Sequence, residues 1–491
     1  MINYTSQKQL EIFDFRLGFE GKLDINNRWV KLSKLLDWDA LAKIYSRTLN
    51  ADKGAKGIDA RVVIGALIIK HIEVKDDRGT IEMICENPYM QFFLGYDSFH
   101  FDAVFDPSLF VHIRKRLGNA EFDQMNQLII QQALMTDVKD SGKKEDGPPS
   151  EENKPPLKPN KGKLQMDATI ADSHIKYPTD IDLLDQAREK TEELITSLCK
   201  REGKAKPRTY KMEARKNYLN IAKKKKKTKM QIRKVIRKQL GYLSRNISYL
   251  DKLFDGNKLL LSSLSKTDYK YLLVVQELHR QQREMYDAKV NTVDNRIVSI
   301  HQPHVRPMVR GKEARKVEFG AKINVSLEQG YTRINQISFD AFNEGKYLKE
   351  QVESYKSLHG HYPELVQTDD IYMTRENRGY LKENNIRHTG RPLGRKPKTK
   401  IAMTDKKQHQ EEKNERNWIE GKFGQGKNRY GLNKIMARLS QTSESWIASI
   451  LFVMNILKMS KDIFCLFLKN VFYHLFNPKS NHYFHINNSA S

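Results

Sequence analysis

Three acidic residues in this chain could do chemistry together: Asp167, Asp369 and Glu420. Glu420 lies in the stretch Arg416-Asn-Trp-Ile-Glu420-Gly-Lys-Phe-Gly-Gln-Gly-Lys427. Read as a helix, that stretch sets Arg416 one turn before Glu420 and Lys427 two turns after it, along one face. A carboxylate flanked by two cations suits a site that holds a divalent metal and a phosphate together. Alone, it suits a solvated ion pair equally well. Gly421, Gly424 and Gly426 weigh against an uninterrupted helix, each costing about 1 kcal/mol relative to Ala. Asp167 sits in Leu164–Asp172, where Leu164, Met166, Ala168 and Ile170 alternate with Gln165, Asp167 and Thr169. That is strand periodicity, and a carboxylate inside a strand is disfavoured unless something uses it. Asp369 and Asp370 stand at the C-terminal end of a short expected strand, Leu365–Thr368, and compete for the same role. Three carboxylates on two strands and a following helix can hold two hard divalent cations, about 3.5–4 Å apart, through oxygen ligands. Nearby Lys and Arg then hold the phosphates of the substrate.

The elements that must position these groups belong to a long and strongly basic chain. At 491 residues it exceeds one compact core, and 86 Lys plus Arg against 60 acidic residues give a net charge of +26. That excess points to a polyanionic partner, nucleic acid before a membrane surface. Cys85, Cys199 and Cys465 are widely separated, so neither a disulfide framework nor a cysteine metal site is expected, and a reducing cytoplasm is. The opening residues lack the apolar core of a signal peptide, and the apolar run Trp446–Leu457 is too short to span a bilayer. His301 and His304 lack a matching pair of ligands and are expected in a loop rather than on zinc.

Residues 1–138 read as helical. Asp59 can cap a helix carrying Val62, Val63, Ala66, Leu67, Ile69 and Ile72 at three- and four-residue spacing. After Pro107, Phe110, Ile113 and Leu117 fall on one helix face and Arg114, Lys115 and Arg116 on the other. Such a basic helix fits a helix-turn-helix DNA reader and a plain bundle equally. Residues 139–163 hold five prolines and one large apolar residue, Leu157, and read as a flexible linker. A catalytic region at 164–439 follows, interrupted at about 180–295 by a basic helical insertion; residues 440–491 form a C-terminal helical segment and tail.

Within the insertion, 19 Lys or Arg between Lys200 and Arg245 face two acidic residues, and Lys223, Lys224, Lys225, Lys226 and Lys227 are consecutive. Ile232, Ile236, Leu240, Leu243, Ile247, Leu250 and Phe254 form a coiled-coil-like seam, so a helical hairpin with a basic outer face is expected. The lysine run, with Arg233 and Arg237 beyond it, is a candidate phosphate-binding surface of low sequence specificity. Beyond it, Val317–Leu327 alternates without a break, Glu328-Gln-Gly330 supplies a turn, and Tyr331–Phe339 returns as the second strand of a hairpin. A helix over Lys346–Leu358 and the strand ending at Thr368 lead to Asp369.

In order, these pieces resemble the DDE transposases of bacterial insertion sequences, in the branch with a helical N-terminal domain. Asp167-Ala-Thr-Ile-Ala-Asp-Ser-His-Ile-Lys-Tyr-Pro178-Thr-Asp180 resembles that family's first-aspartate motif. His301-Gln-Pro-His-Val-Arg-Pro-Met-Val-Arg-Gly311-Lys and Val317-Glu-Phe-Gly-Ala-Lys322 resemble the approach to its second strand. Thr368-Asp369-Asp370-Ile-Tyr372 resembles its second-aspartate motif, with spacing that favours Asp369. Arg416, Glu420 and Lys427 match its glutamate signature, although Lys413 stands where relatives carry Tyr. Gly57-Ile-Asp-Ala-Arg61 and Phe93-Leu-Gly95 resemble its N-terminal domain. The resemblance implies an α/β fold: an RNase H-like mixed-sheet catalytic domain after an all-α N-terminal domain. It implies Asp167, Asp369 and Glu420 on two Mg²⁺ or Mn²⁺ ions, with Arg416 and Lys427 on DNA phosphates. It further implies hydrolysis at the terminal inverted repeats of a transposon, transfer of the 3′-hydroxyl into double-stranded target DNA, a homodimer on DNA, and a cytoplasmic, nucleoid-associated protein with no membrane partner.

Overall fold

The computed structural model describes residues 22–49, 57–140, 159–309, 317–391 and 403–476. Four of the five prolines of the expected linker, all but Pro159, and most of the basic loop after Gly390 fall outside them. Seven helices come first among the described residues: α1 (Arg28–Leu35), α2 (Trp38–Ser46), α3 (Ala60–Glu73), α4 (Asp77–Glu86), α5 (Pro88–Phe93), α6 (Leu109–Arg116) and α7 (Asn119–Asp140). Asp59 caps α3 as expected, accepting from the Arg61 N–H at 2.7 Å. Asn87 caps α5, whose first residue is Pro88. One expectation fails at α6. Phe110, Ile113 and Leu117 are buried, but so is Arg114, which forms a two-pronged ion pair with Asp77 at 2.7 and 2.8 Å. The basic face is therefore narrower than the residue types imply.

After strand β1 (Lys163–Asp172) the chain leaves the sheet for α8 (Asp180–Arg201), α9 (Lys211–Ala222), α10 (Lys229–Gly256), α11 (Leu259–Ser262) and α12 (Lys266–Ala288). The expected hairpin is a bundle of three long helices, α8, α10 and α12, with α9 packed on α8 and α10. Leu240, Leu243 and Leu250 of the predicted seam are fully buried. The seam meets two partners because α12 covers what α8 leaves open: Leu183 and Leu184 from one side, Val275 and Leu278 from the other.

The chain re-enters the sheet as β2 (Arg306–Val309), β3 (Val317–Glu328) and β4 (Tyr331–Ser338), then runs through α13 (Leu348–His359), β5 (Leu365–Gln367), α14 (Arg375–Glu383) and β6 (Arg387–His388). The strand order is β2-β3-β1-β5-β6, with β4 also on β3. β1 is antiparallel to β3 and parallel to β5, so the sheet is mixed. The β3–β4 turn puts Gln329 and Gly330 at φ 49° and 88°, a left-handed conformation that Gly takes at no steric cost. At Gly320 a Cβ would stand 1.9 Å from the Ala171 carbonyl oxygen, so only Gly permits this close β1–β3 approach.

Helices α15 (Met403–Glu415), α16 (Asn417–Arg429) and α17 (Ser440–Phe476) are the last of the described elements. Both sheet faces are covered, which the alternating sequences of β1 and β3 did not predict: Gln165, Thr169, Asn324 and Ser326 are all buried. On one face, Ala321, Ile323, Val325 and Leu327 join Ile419, Phe423, α17 and the N-terminal helices in a single core. On the other, Leu164, Met166 and Val366 pack on α13 and α14. Asn455 of α17 stitches three parts together, accepting from the Thr332 N–H at 2.9 Å and donating to Asn126 at 2.8 Å. No helix of the described residues is long and apolar enough to cross a membrane.

Candidate active site

Asp167 lies midway along β1, half-buried, with its Oδ1 accepting from the Ala168 N–H at 2.8 Å. β1 and β5 pair with Gln165 opposite Gln367. β5 ends at Gln367, so Asp369 follows two residues after the strand that pairs beside Asp167, and caps the short 3-10 turn Asp370–Tyr372. Asp369 is exposed at the end of the strand and accepts from the Asp370 N–H at 2.9 Å. Asp370 faces elsewhere. Its carboxylate pairs with Arg391 at 3.0 Å and accepts that residue's N–H at 3.2 Å.

Glu420 stands on the first turn of α16. Arg416, at the junction of α15 and α16, reaches both acids: Nη1 lies 3.9 Å from Asp167 Oδ2 and Nη2 lies 3.5 Å from Glu420 Oε1. The junction is held by amides that composition gave no reason to single out. Gln165 Nε2 donates to the Glu415 carbonyl at 2.9 Å, and Gln367 Nε2 to the Glu412 carbonyl at 2.6 Å. Lys163 pairs with Glu415 at 2.6 Å, and Arg387 with Glu412 at 2.8 Å. The three glycines do not interrupt α16. A Cβ on Gly421 or Gly424 would meet open space, whereas Gly426 packs on Leu432 and Met454.

Burial pushes the Asp167 carboxyl up to about 6. The Ala168 N–H and the Arg416 charge act against that rise, and Glu344 and Glu420 add to it. Glu344 is an acid that no motif in the sequence marks. It follows β4, pairs with Lys322 at 2.7 Å, and acts on the buried Tyr372 together with Asp167 and Asp369. Tyr372 donates to Asn324 at 2.8 Å, and burial raises its hydroxyl pKa far above the ordinary range. Lys427 lies 3.8 Å from Glu318 of β3, further along α16. Lys223, Lys224, Lys225, Lys226 and Lys227 are exposed on the α9–α10 connection. Arg237 is exposed, whereas Arg233 lays its guanidinium 4.0 Å over the Tyr286 ring.

Divalent ions fit the chemistry of this donor set: all-oxygen and anionic, the kind hard cations select. Among the described residues, no group of three His, Cys, Asp or Glu side chains is gathered as a ready metal-binding cluster. The cation between Asp167 and Glu420 is the Arg416 guanidinium.

Two family models match the chain. One, described as a transposase DDE domain, covers residues 366–457 and thus Asp369, Arg416, Glu420 and Lys427. The other, described as a transposase domain (DUF772), covers residues 18–116. Together the two matches support an insertion-sequence DDE transposase, a family that generally uses divalent metal ions. It is also 25% identical over 209 residues to the uncharacterized protein ORF8 in the nfe locus of Rhizobium meliloti, a stretch covering 42% of this chain and 86% of that one.

Proposed function

We propose that this transposase cuts phosphodiesters at the ends of a DNA element and joins the freed 3′-hydroxyls to target DNA. Asp167, Asp369 and Glu420 are its metal-binding carboxylates, on an RNase H-like sheet. The observation that carries this reading is the convergence of strand and helix acids on Arg416, with Asp369 just beyond the end of the strand that pairs beside β1. Two Mg²⁺ or Mn²⁺ ions bound there would supply Lewis-acid activation of the attacking and leaving oxygens. The protein's own groups do the rest. Arg416 orients Asp167 and Glu420 and offsets their repulsion. Lys427 holds a phosphate of the bound strand. The pairing of β1 with β5 fixes Asp167 relative to the strand end that delivers Asp369, which lowers the entropic cost of assembling the reacting groups. The lysine run at 223–227 grips duplex DNA through phosphates, and two copies of the chain act on paired ends.

The test uses the purified chain, Mg²⁺ and a DNA fragment carrying the gene's own flanking sequences. Cleavage at the element boundaries and joined products from pre-cleaved ends are expected, and both vanish in Asp167→Asn and Glu420→Gln. Cutting without joined product would reduce the reading to a nuclease. Full activity in both variants would end the catalytic assignment.

A further inference from the structure

The pairing of β5 with β1 stops at Gln367, two residues before Asp369, so the ladder itself does not hold that aspartate. The chain passes at once into the 3-10 turn Asp370–Tyr372. Asp369 keeps a fixed place beside Asp167 only if something fixes this turn against β1 and β3. Tyr372, the last residue of the turn, makes that connection. Its ring is fully buried and clusters with Met166 of β1, Val352 of α13 and Leu381 of α14. Its hydroxyl donates to Asn324 Oδ1 at 2.8 Å. Asn324 is the Cα partner of Ala168, and the next residue of β3, Val325, is the partner of Asp167. One side-chain hydrogen bond therefore ties the turn that follows Asp369 to the strand pair that carries Asp167.

The residue types at both ends of that bond are costly for packing alone. Asn324 is fully buried, and its Nδ2 has no hydrogen-bond partner among the described residues. A half-satisfied amide inside a sheet layer destabilises, where an apolar residue of the same size would not. The bond to Tyr372 is what the amide contributes in return. A second brace holds the turn from the backbone. Asn377, also buried, donates through Nδ2 to the carbonyls of Tyr372 and Gly345, each at 2.7 Å. This bolts the turn Asp370–Tyr372 to the turn Glu344–Tyr347. At Gly345 a Cβ would stand 2.8 Å from the Ile371 carbonyl oxygen, so the two turns meet without slack.

We propose that Tyr372 is a positioning residue of the carboxylate site: its hydroxyl on Asn324 sets where Asp369 stands relative to Asp167, and so how tightly the pair holds divalent ions. The proposal rests on the reading of those aspartates as metal ligands. Groups that orient a metal's ligands govern its affinity without touching it, by about 10–100-fold when they are removed. A ring that served packing alone would lose nothing in Tyr372→Phe.

The test titrates the full chain with Mn²⁺, read by electron paramagnetic resonance without DNA. Melting temperature and the Mg²⁺ dependence of cleavage are followed on the same preparations. Tyr372→Phe is expected to weaken Mn²⁺ binding about tenfold or more, and to raise by a similar factor the Mg²⁺ concentration that gives half-maximal cleavage. Tyr380→Phe is the control: it removes a hydroxyl that donates to Glu353 at 2.6 Å between α13 and α14, and leaves Mn²⁺ binding as in the wild type. The double change Tyr372→Phe with Asn324→Leu removes both partners, so it recovers the melting temperature lost in the single variant while Mn²⁺ binding stays weak. Unchanged Mn²⁺ affinity in Tyr372→Phe, equal weakening in Tyr380→Phe, or affinity restored together with melting temperature in the double variant would each overturn the positioning role while leaving the carboxylate reading in place. A wild type that bound no Mn²⁺ would overturn the metal reading and the proposal with it.

Discussion

Gln165 and Gln367 meet side chain to side chain at 2.8 Å across the β1–β5 boundary, buried, and both hold the backbone of α15 just before Arg416. The angle at which Arg416 and Glu420 enter the site is thus set by two neutral amides. In Gln165→Leu the carbonyl of Glu415 loses its donor and the junction shifts. Cleavage is expected to fall about a hundredfold, the scale of a displacement near 1 Å, with DNA affinity retained. Cleavage rates and anisotropy on the same preparation check this; parallel loss of both would point to unfolding instead.

Asp369 and Asp370 are adjacent, but only Asp370 is engaged by Arg391. In its proposed metal-binding role, Asp369→Asn is expected to reduce cleavage by at least about a thousandfold, since losing such a carboxylate costs several kcal/mol of transition-state stabilisation. Asp370→Asn should stay within a few-fold of wild type. A reversed order in a cleavage assay would exchange their roles.

Replacing Lys223, Lys224, Lys225, Lys226 and Lys227 by Gln should weaken binding to any duplex alike. The slope of log affinity against log salt should fall by about 0.9 for each DNA phosphate that the variant leaves unneutralised. A titration from low to high salt with two unrelated duplexes reads it; an unchanged slope rejects the lysine run as a DNA-binding surface.

Asp77 lies between Lys70 at 2.9 Å and Arg114 at 2.7 Å, both buried cations. Burial alone would raise its pKa, but the Arg114 hydrogen bond and the Lys70 charge outweigh it and hold the carboxyl below its ordinary 3.8. A depressed folded-state pKa gives stability that is present above the unfolded value and lost as pH falls through the folded one. Asp77→Asn leaves two buried charges without a counter-ion and should cost about 3–5 kcal/mol near neutral pH. The gap should narrow below about pH 4, where the wild type loses the same pair. Denaturant melts at pH 7 and pH 3.5 measure both; equal gaps would show that Asp77 is not the titrating partner.

Elements built on local pattern were legible in the sequence. The Asp59 cap, the β3–β4 turn and the buried leucines of α10 all follow from spacing within a few residues. What escaped depends on distance along the chain. Arg114 turns inward because its partner stands 37 residues earlier, and Gln165 is buried because Gln367 faces it 202 residues later. Glu344 looked like any surface acid, since its approach to Asp167 is set by how the chain leaves β4. For the candidate site, the order of Asp167, Asp369 and Glu420 could be read directly. The hold of Arg416 on two of them was only partly foreseeable, because helix spacing predicts its reach to Glu420 and nothing local predicts Asp167.

Helix α17 comes last in chain order among the described elements, yet α3, α6, α7 and β4 all pack against it. From Asp140 to Ser440 is 440 − 140 = 300 residues, which at about 5–20 residues per second takes roughly 15–60 s to synthesise. Through that interval the N-terminal helices exist without the surface that completes their core. A chain cut short before Ser440 therefore lacks the element on which its N-terminal helices and its sheet both close.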